Sequence, residues 1–277
     1  MQLKNLIKKH SQFNNVSPQI VLQNYMMERF LERVSLSKYQ NNFIIKGGFL
    51  ISSMVGISAR STMDIDATIK RYSLNENSIK EMIDDILNVY LDDGVSFEVK
   101  NIGEIREDDE YNGYRVTLMS HYQTIKVMIK IDITTGDKIT PNEIQYEHYL
   151  MFEERCIKLK AYNLVTILAE KIETIITRSE QNTRMRDFYD IYYLQKLYSD
   201  KIEPNILKKA LLLTCERRSS AHLIENYMEV IKILKNSEVM LRQWKNYQKL
   251  FDYAMIISFN DICDLIMDIL TELFDGI

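Results

Sequence analysis

Residues 60–70, RSTMDIDATIK, set Asp64, Asp66 and Thr68 in alternation with Ile65, Ala67 and Ile69. A period of two marks a strand with one buried face, because successive side chains leave the backbone on opposite sides. Asp64 and Asp66 therefore project from the same face as close neighbours. Two like charges held together disfavour each other unless a cation bridges them, and oxygen-only ligands suit a hard ion such as Mg²⁺. A lone D-x-D is equally consistent with solvated carboxylates at a sheet edge, so its neighbours must decide.

Upstream, residues 43–48 read FIIKGG, a short apolar run breaking into a tight turn, and FLISSMVG after it has the texture of a short helix. Gly47 and Gly48 let backbone N–H groups approach a triphosphate, and a helix starting there aims its positive end at the same phosphates. Lys46 and the hydroxyl of Ser52 or Ser53 are candidates to join them. Downstream, helical spacing spans residues 79–90, and SFEVKNI, YRVTLMSHY and TIKVMIKIDIT read as strands. The first two form a candidate hairpin with a turn at Asn112-Gly113. The third carries Asp132 between Ile131 and Ile133. If it pairs beside residues 64–70, three carboxylates converge on one sheet edge, as two-metal nucleotidyl transfer requires; the alternative for Asp132 is a cap on the following turn.

Around this core the texture is helical. Ser17-Pro18 is a helix start with proline at the first helical position. Beyond about Pro141, apolar stripes of period 3.6 recur over residues 162–178, 184–197, 204–215 and onward. The expected architecture is α+β: residues 1–145 as a mixed sheet with flanking helices, and residues 146–277 as a mainly helical domain closing over the nucleotide. In the second part Lys171 lies between Glu170 and Glu173, and Asp187 and Asp190 share one helical face near Arg184 and Arg186. The aspartates suit either anchoring of Lys171 or action on an acceptor, and the arginines suit ion pairs or function equally.

Composition agrees. Among 277 residues there are 8 Gly and 3 Pro, which favours long helices over a loop-rich all-β chain. The net charge of −4 argues against a globally basic nucleic-acid binder. Cys156, Cys215 and Cys263 form no C-x-x-C pair and read as reduced thiols of a cytoplasmic protein. No apolar run has signal-peptide or membrane-spanning length. His10, His121, His148 and His222 show no spacing of a ligand set or triad.

The ordered set of Gly47, Gly48, Arg60, Thr62, Asp64, Asp66 and Asp132 resembles the polymerase-β-like nucleotidyltransferase superfamily, and most closely the AbiEii toxin family. Lys171 and the pair Asp187/Asp190 match the family's downstream positions, so the resemblance covers roughly residues 40 to 200. It departs from the wider superfamily at Gly48, where many members carry serine. The resemblance implies an enzyme that binds Mg²⁺ through Asp64, Asp66 and Asp132, with Asp132 a candidate base. It places NTP phosphates on Lys46, Gly47 and Gly48 and neutralises charge with Lys171. Arg60 and Thr62 complete the nucleotide site, with the Thr62 hydroxyl also a candidate modification site. It further implies the toxin of a bacterial type IV toxin–antitoxin system acting in abortive phage infection. A co-encoded DNA-binding antitoxin would act without a stable complex, and RNA, tRNA above all, would be the acceptor. Two rivals stay open: the same chemistry on a small molecule or protein, and a non-catalytic nucleotide-binding module.

Overall fold

The computed structural model describes residues 3–72, 75–105 and 113–275. The chain forms two compact units, residues 1–137 with 143–162, and residues 138–142 with 163–277.

The first unit begins with α1 (Leu3–Asn14) and α2 (Pro18–Leu36), whose cap is Ser17 accepting from the Ile20 N–H at 3.3 Å. Then follow β1 (Phe43–Lys46), α3 (Gly47–Val55), β2 (Asp64–Ile69) and α4 (Glu76–Leu87), the last opened by an Asn75/Ser78 capping box. Five more strands complete it: β3 (Val95–Ile105), β4 (Gly113–Tyr122), β5 (Ile125–Thr135), β6 (Ile144–Tyr149) and β7 (Cys156–Ala161). Among the described residues they make one mixed seven-stranded sheet in the order β3-β4-β5-β2-β1-β7-β6. The α+β expectation is met. β3 and β4 pair antiparallel as the hairpin reading required, although Asn112 of its turn lies outside the described residues.

The helical texture expected from Pro141 starts later. Residues 144–149 and 156–161 are strands that extend the sheet beyond β1, and helix resumes at Leu164. β7, CIKLKA, alternates buried Ile157, Leu159 and Ala161 with lysines, but over only six residues, and the edge strand β6, IQYEHY, shows no apolar alternation.

One face of the sheet is apolar: Ile65, Val116, Leu118, Ile129 and Ile131 are fully buried, and α2 packs on β5 and β7 while α4 packs on β3. Polar residues of α2, Gln23, Asn24, Glu28, Arg29, Glu32 and Arg33, are buried as well. Arg33 grips both oxygens of Asp93 at 2.8 and 3.0 Å, and Arg29 pairs with Glu28 and Glu32. Buried charges are tolerated because each has a partner.

The second unit is helical: α5 (Leu164–Arg178), α6 (Met185–Tyr198), α7 (Pro204–Arg217), α8 (Ala221–Ile224), α9 (Tyr227–Asn236), α10 (Glu238–Leu250) and α11 (Phe259–Phe274). Its core joins Phe188, Ile191 and Leu194 of α6 to Phe259, Ile262 and Ile266 of α11. No helix of the described residues is long and apolar enough to cross a membrane.

Candidate active site

The turn from β1 into α3 has its shape because of what lies against it. Gly47 has φ +63°, and a Cβ there would stand 2.0 Å from Asp66 Oδ2. A Cβ on Gly48 would stand 2.6 Å from Thr62 Oγ1. Both are closer than real contacts allow, so the glycines let α3 sit directly on the acidic strand. The Gly48 N–H, expected to face phosphate, donates to Asp66 Oδ2 at 3.2 Å.

Strand register assembles the rest. β1 runs antiparallel to β2, β2 parallel to β5, and β5 antiparallel to β4, with Lys46 opposite Asp66, Asp66 opposite Asp132, and Asp132 opposite Arg115. Residues directly opposite share a face, so four charges form one row across four strands. Asp64 lies opposite Lys130, one step along the same face. Burial and the neighbouring Asp64 charge push the Asp66 carboxyl up, more than the Gly48 N–H and Lys46 hold it down. Thr62 donates to Asp64 Oδ1 at 2.9 Å. Arg115 grips Asp132 with Nε and Nη2, both at 2.7 Å. Lys46 reaches Asp137 at 2.6 Å; burial alone would raise the Asp137 carboxyl, but Lys46, Tyr162 and Thr134 hold it below the usual range.

Arg60 is buried beside Gly48 and donates to the Ser61 carbonyl. The 60–63 segment is fastened by two side chains of α2 that sequence reasoning missed. Asn24 donates to the Thr62 carbonyl at 3.1 Å, and Gln23 donates to the carbonyls of Met63 and Met128, both at 2.9 Å. Amides on a helix carry no motif; only the tertiary fold shows their targets.

The arrangement fits a hard divalent cation in its chemistry. Asp64 and Asp66 share a face, all donors are oxygens, and the Asp66 carboxyl, raised by burial first and by the Asp64 charge second, is one a cation would relieve. Among the described residues, however, no group of three His, Cys, Asp or Glu side chains is gathered closely enough to hold a metal. The reason is visible in Asp132, whose two oxygens are on Arg115.

Ser52 lies one turn beyond Gly48 on α3 and lines a cavity of about 200 Å³ with Phe49, Asn24 and Tyr146. His148, for which no triad spacing was expected, sits between Ser53 and Glu28 there, at 2.6 and 3.1 Å. These residues come from β6, α3 and α2, too far apart in sequence to form a pattern.

In the helical unit, Lys171 of α5 binds Asp187 Oδ1 at 2.6 Å and Asp190 Oδ2 at 2.8 Å, both on α6. Burial works against its charge, but the two carboxylates outweigh it and the ammonium's pKa is raised. Arg184 closes on Asp187 at 2.9 Å. Of the two open readings for Asp187 and Asp190, the geometry places both on Lys171.

Comparison with known proteins adds the family. The model of the nucleotidyl transferase AbiEii toxin family, Type IV TA system, matches residues 29–264. Two solved structures have the same fold at a TM-score of 0.50. One is of a candidate nucleotidyltransferase from H. pylori, 14% identical, covering 93% of this chain and 99% of that one. The other is JHP933 from Helicobacter pylori, 13% identical, covering 92% and 95%. No curated protein matches the chain.

Proposed function

Because this chain belongs to the AbiEii family of nucleotidyl transferase toxins of type IV toxin–antitoxin systems, we propose that it transfers a nucleotide from an NTP to RNA, with tRNA the leading acceptor. The observation that carries this reading is the register of β2 and β5, which sets Asp66 opposite Asp132 beside Asp64 and at the Gly47-Gly48 turn. Asp64 and Asp66, joined by Asp132 once Arg115 lets go, would hold Mg²⁺. When bound, that ion supplies charge to the triphosphate and lowers the pKa of the attacking hydroxyl.

The chain's own groups do the positioning. The start of α3 directs its positive end at phosphate, with Lys46 and Arg115 at the two ends of the charged row. Thr62 orients Asp64, and buried Arg60 supports Gly48. Lys171, held by Asp187 and Asp190, contributes positive charge to the transfer. We place the protein in the cytoplasm as a phage-defence toxin, opposed by a co-encoded DNA-binding antitoxin that forms no stable complex with it.

The test is incubation with Mg²⁺ and each α-³²P-NTP, with total bacterial RNA and protein as acceptors and Asp64→Ala alongside. Label in tRNA from one preferred NTP, absent with the variant, is expected. Label in protein would replace the acceptor, and label surviving in Asp64→Ala would overturn the site.

A further inference from the structure

The two faces of the sheet differ beyond the acidic residues. In β5, Val127, Ile129, Ile131 and Ile133 are buried, while Lys126, Met128 and Lys130, in alternation with them, are exposed. Alternation puts these three on the face that carries Asp132. Strand register carries that face onward over β4 and β3. Lys130 stands opposite Thr117 and Thr117 opposite Asn101, Met128 stands opposite Met119, and Lys126 stands opposite His121. On its other side Lys130 stands opposite Asp64. This surface is therefore continuous with the candidate active site. Lys130 lies two residues from Asp132, about 7 Å along the strand, and Lys126 about 20 Å.

The chemistry of the face is cationic and hydrogen-bonding. Lys126 and Lys130 are in no ion pair among the described residues. Glu98, opposite Met119, is neutralised by Lys100 at 2.5 Å. Lysines hold phosphates as point charges, and Thr117, Asn101 and His121 offer polar groups beside them. The apolar members are Met119 and Met128, the latter 48% exposed. A thioether on a flexible stem moulds itself to a flat ring and makes favourable sulfur–aromatic contacts. The chain carries a net charge of −4, so attraction for a polyanion must come from a local patch such as this one.

Taking the transfer to RNA proposed above as given, we infer that the open face of β3, β4 and β5 holds the acceptor as a single strand. Lys126 and Lys130 bind its phosphates, Met119 and Met128 receive bases, and its reacting end lies at Asp64, Asp66 and Asp132. A single strand fits because its unstacked bases can lie on a flat surface while the backbone follows the cations.

Fluorescence anisotropy of a short fluorescein-labelled single-stranded RNA of mixed sequence, titrated with the full chain without NTP or divalent metal, reads binding apart from transfer. Lys126→Ala with Lys130→Ala should weaken binding tenfold or more. It should also flatten the slope of log K against log salt by about 1.4, two phosphate contacts at about 0.7 each. Both lysines are exposed, so the double variant should melt as the parent does. Lys8→Ala with Lys9→Ala, at exposed lysines of α1, should change binding less than twofold. No binding by the parent, binding indifferent to Lys126 and Lys130, or an equal loss at Lys8 and Lys9 would each overturn the assignment. Polyglutamate displacing the RNA as well as unlabelled RNA of equal length would overturn it in favour of an acidic protein. A transfer assay with α-³²P-NTP run alongside separates the two proposals. Label reaching RNA while anisotropy ignores the lysines overturns the surface alone. Label reaching protein instead, with lysine-dependent RNA binding intact, overturns the acceptor alone.

Discussion

Arg115 holds both oxygens of Asp132 at 2.7 Å, and Asp132 stands opposite Asp66 in the parallel ladder of β2 and β5. The third carboxylate of the candidate site is thus satisfied by a guanidinium where the proposed reaction needs it on a cation. For Asp132 to join a metal, Arg115 must be displaced, and its guanidinium then becomes free to bind two oxygens of a phosphate. Arg115→Gln should therefore tighten Mn²⁺ binding severalfold, by electron paramagnetic resonance, while weakening NTP binding. Unchanged metal affinity would show that the Arg115–Asp132 pair plays no part in the site.

Asp66 is raised by burial first and by Asp64 second. A carboxyl with a folded-state pKa above its unfolded value binds its proton more tightly when folded. Its penalty on stability is complete above the raised pKa and disappears as pH falls through it toward the unfolded value. Asp66→Asn should melt higher than the parent at neutral pH without metal, by about 2–4 °C per kcal/mol relieved. The gap should close on acidification, and transferase activity should be lost. A variant that melts lower at neutral pH would contradict the account of a carboxyl penalised by burial and by Asp64.

Gly48, where the resemblance read from the sequence led us to expect serine, has a neighbour that explains it: Thr62 Oγ1 occupies the space a serine side chain would need, 2.6 Å from the Cβ position. Gly48→Ser should destabilise by about 1–3 kcal/mol, as overpacking does. Gly48→Ser with Thr62→Ala should recover most of it, a coupling read by a double-mutant cycle. Gly47→Ala has no such rescue, because its φ of +63° and the Asp66 contact both oppose a side chain.

Removing Lys171 takes the ammonium from Asp190, 0% exposed, and leaves Asp187, 3% exposed, to Arg184. Lys171→Ala should cost about 3–5 kcal/mol, seen as a shifted urea midpoint. Its loss of toxicity alone would then say little about chemistry. Lys171→Met combined with Asp187→Asn and Asp190→Asn should regain much of the stability, and if Lys171 serves the transfer, activity stays lost. Activity restored with stability would make the cluster purely structural.

The residues of the candidate site were legible in the sequence because their geometry is local. Asp64 and Asp66 share a face by strand alternation alone, Asp187 and Asp190 by one helical turn, and Gly47-Gly48 announces a turn whatever surrounds it. Parallel pairing of β2 with β5 was conditional in the sequence, since nothing local selects one neighbour among several apolar strands. Only the tertiary structure decided that register, and with it the row from Lys46 to Arg115. It also decided that β6 and β7 belong to the sheet, that Asn24 and Gln23 fasten the 60–63 segment, and that His148 meets Ser53 and Glu28. Each of these joins residues distant in the chain through hydrogen bonds whose partners periodicity cannot name. Spacing reports which face a side chain takes on its own element; what stands across from it depends on how the elements pack.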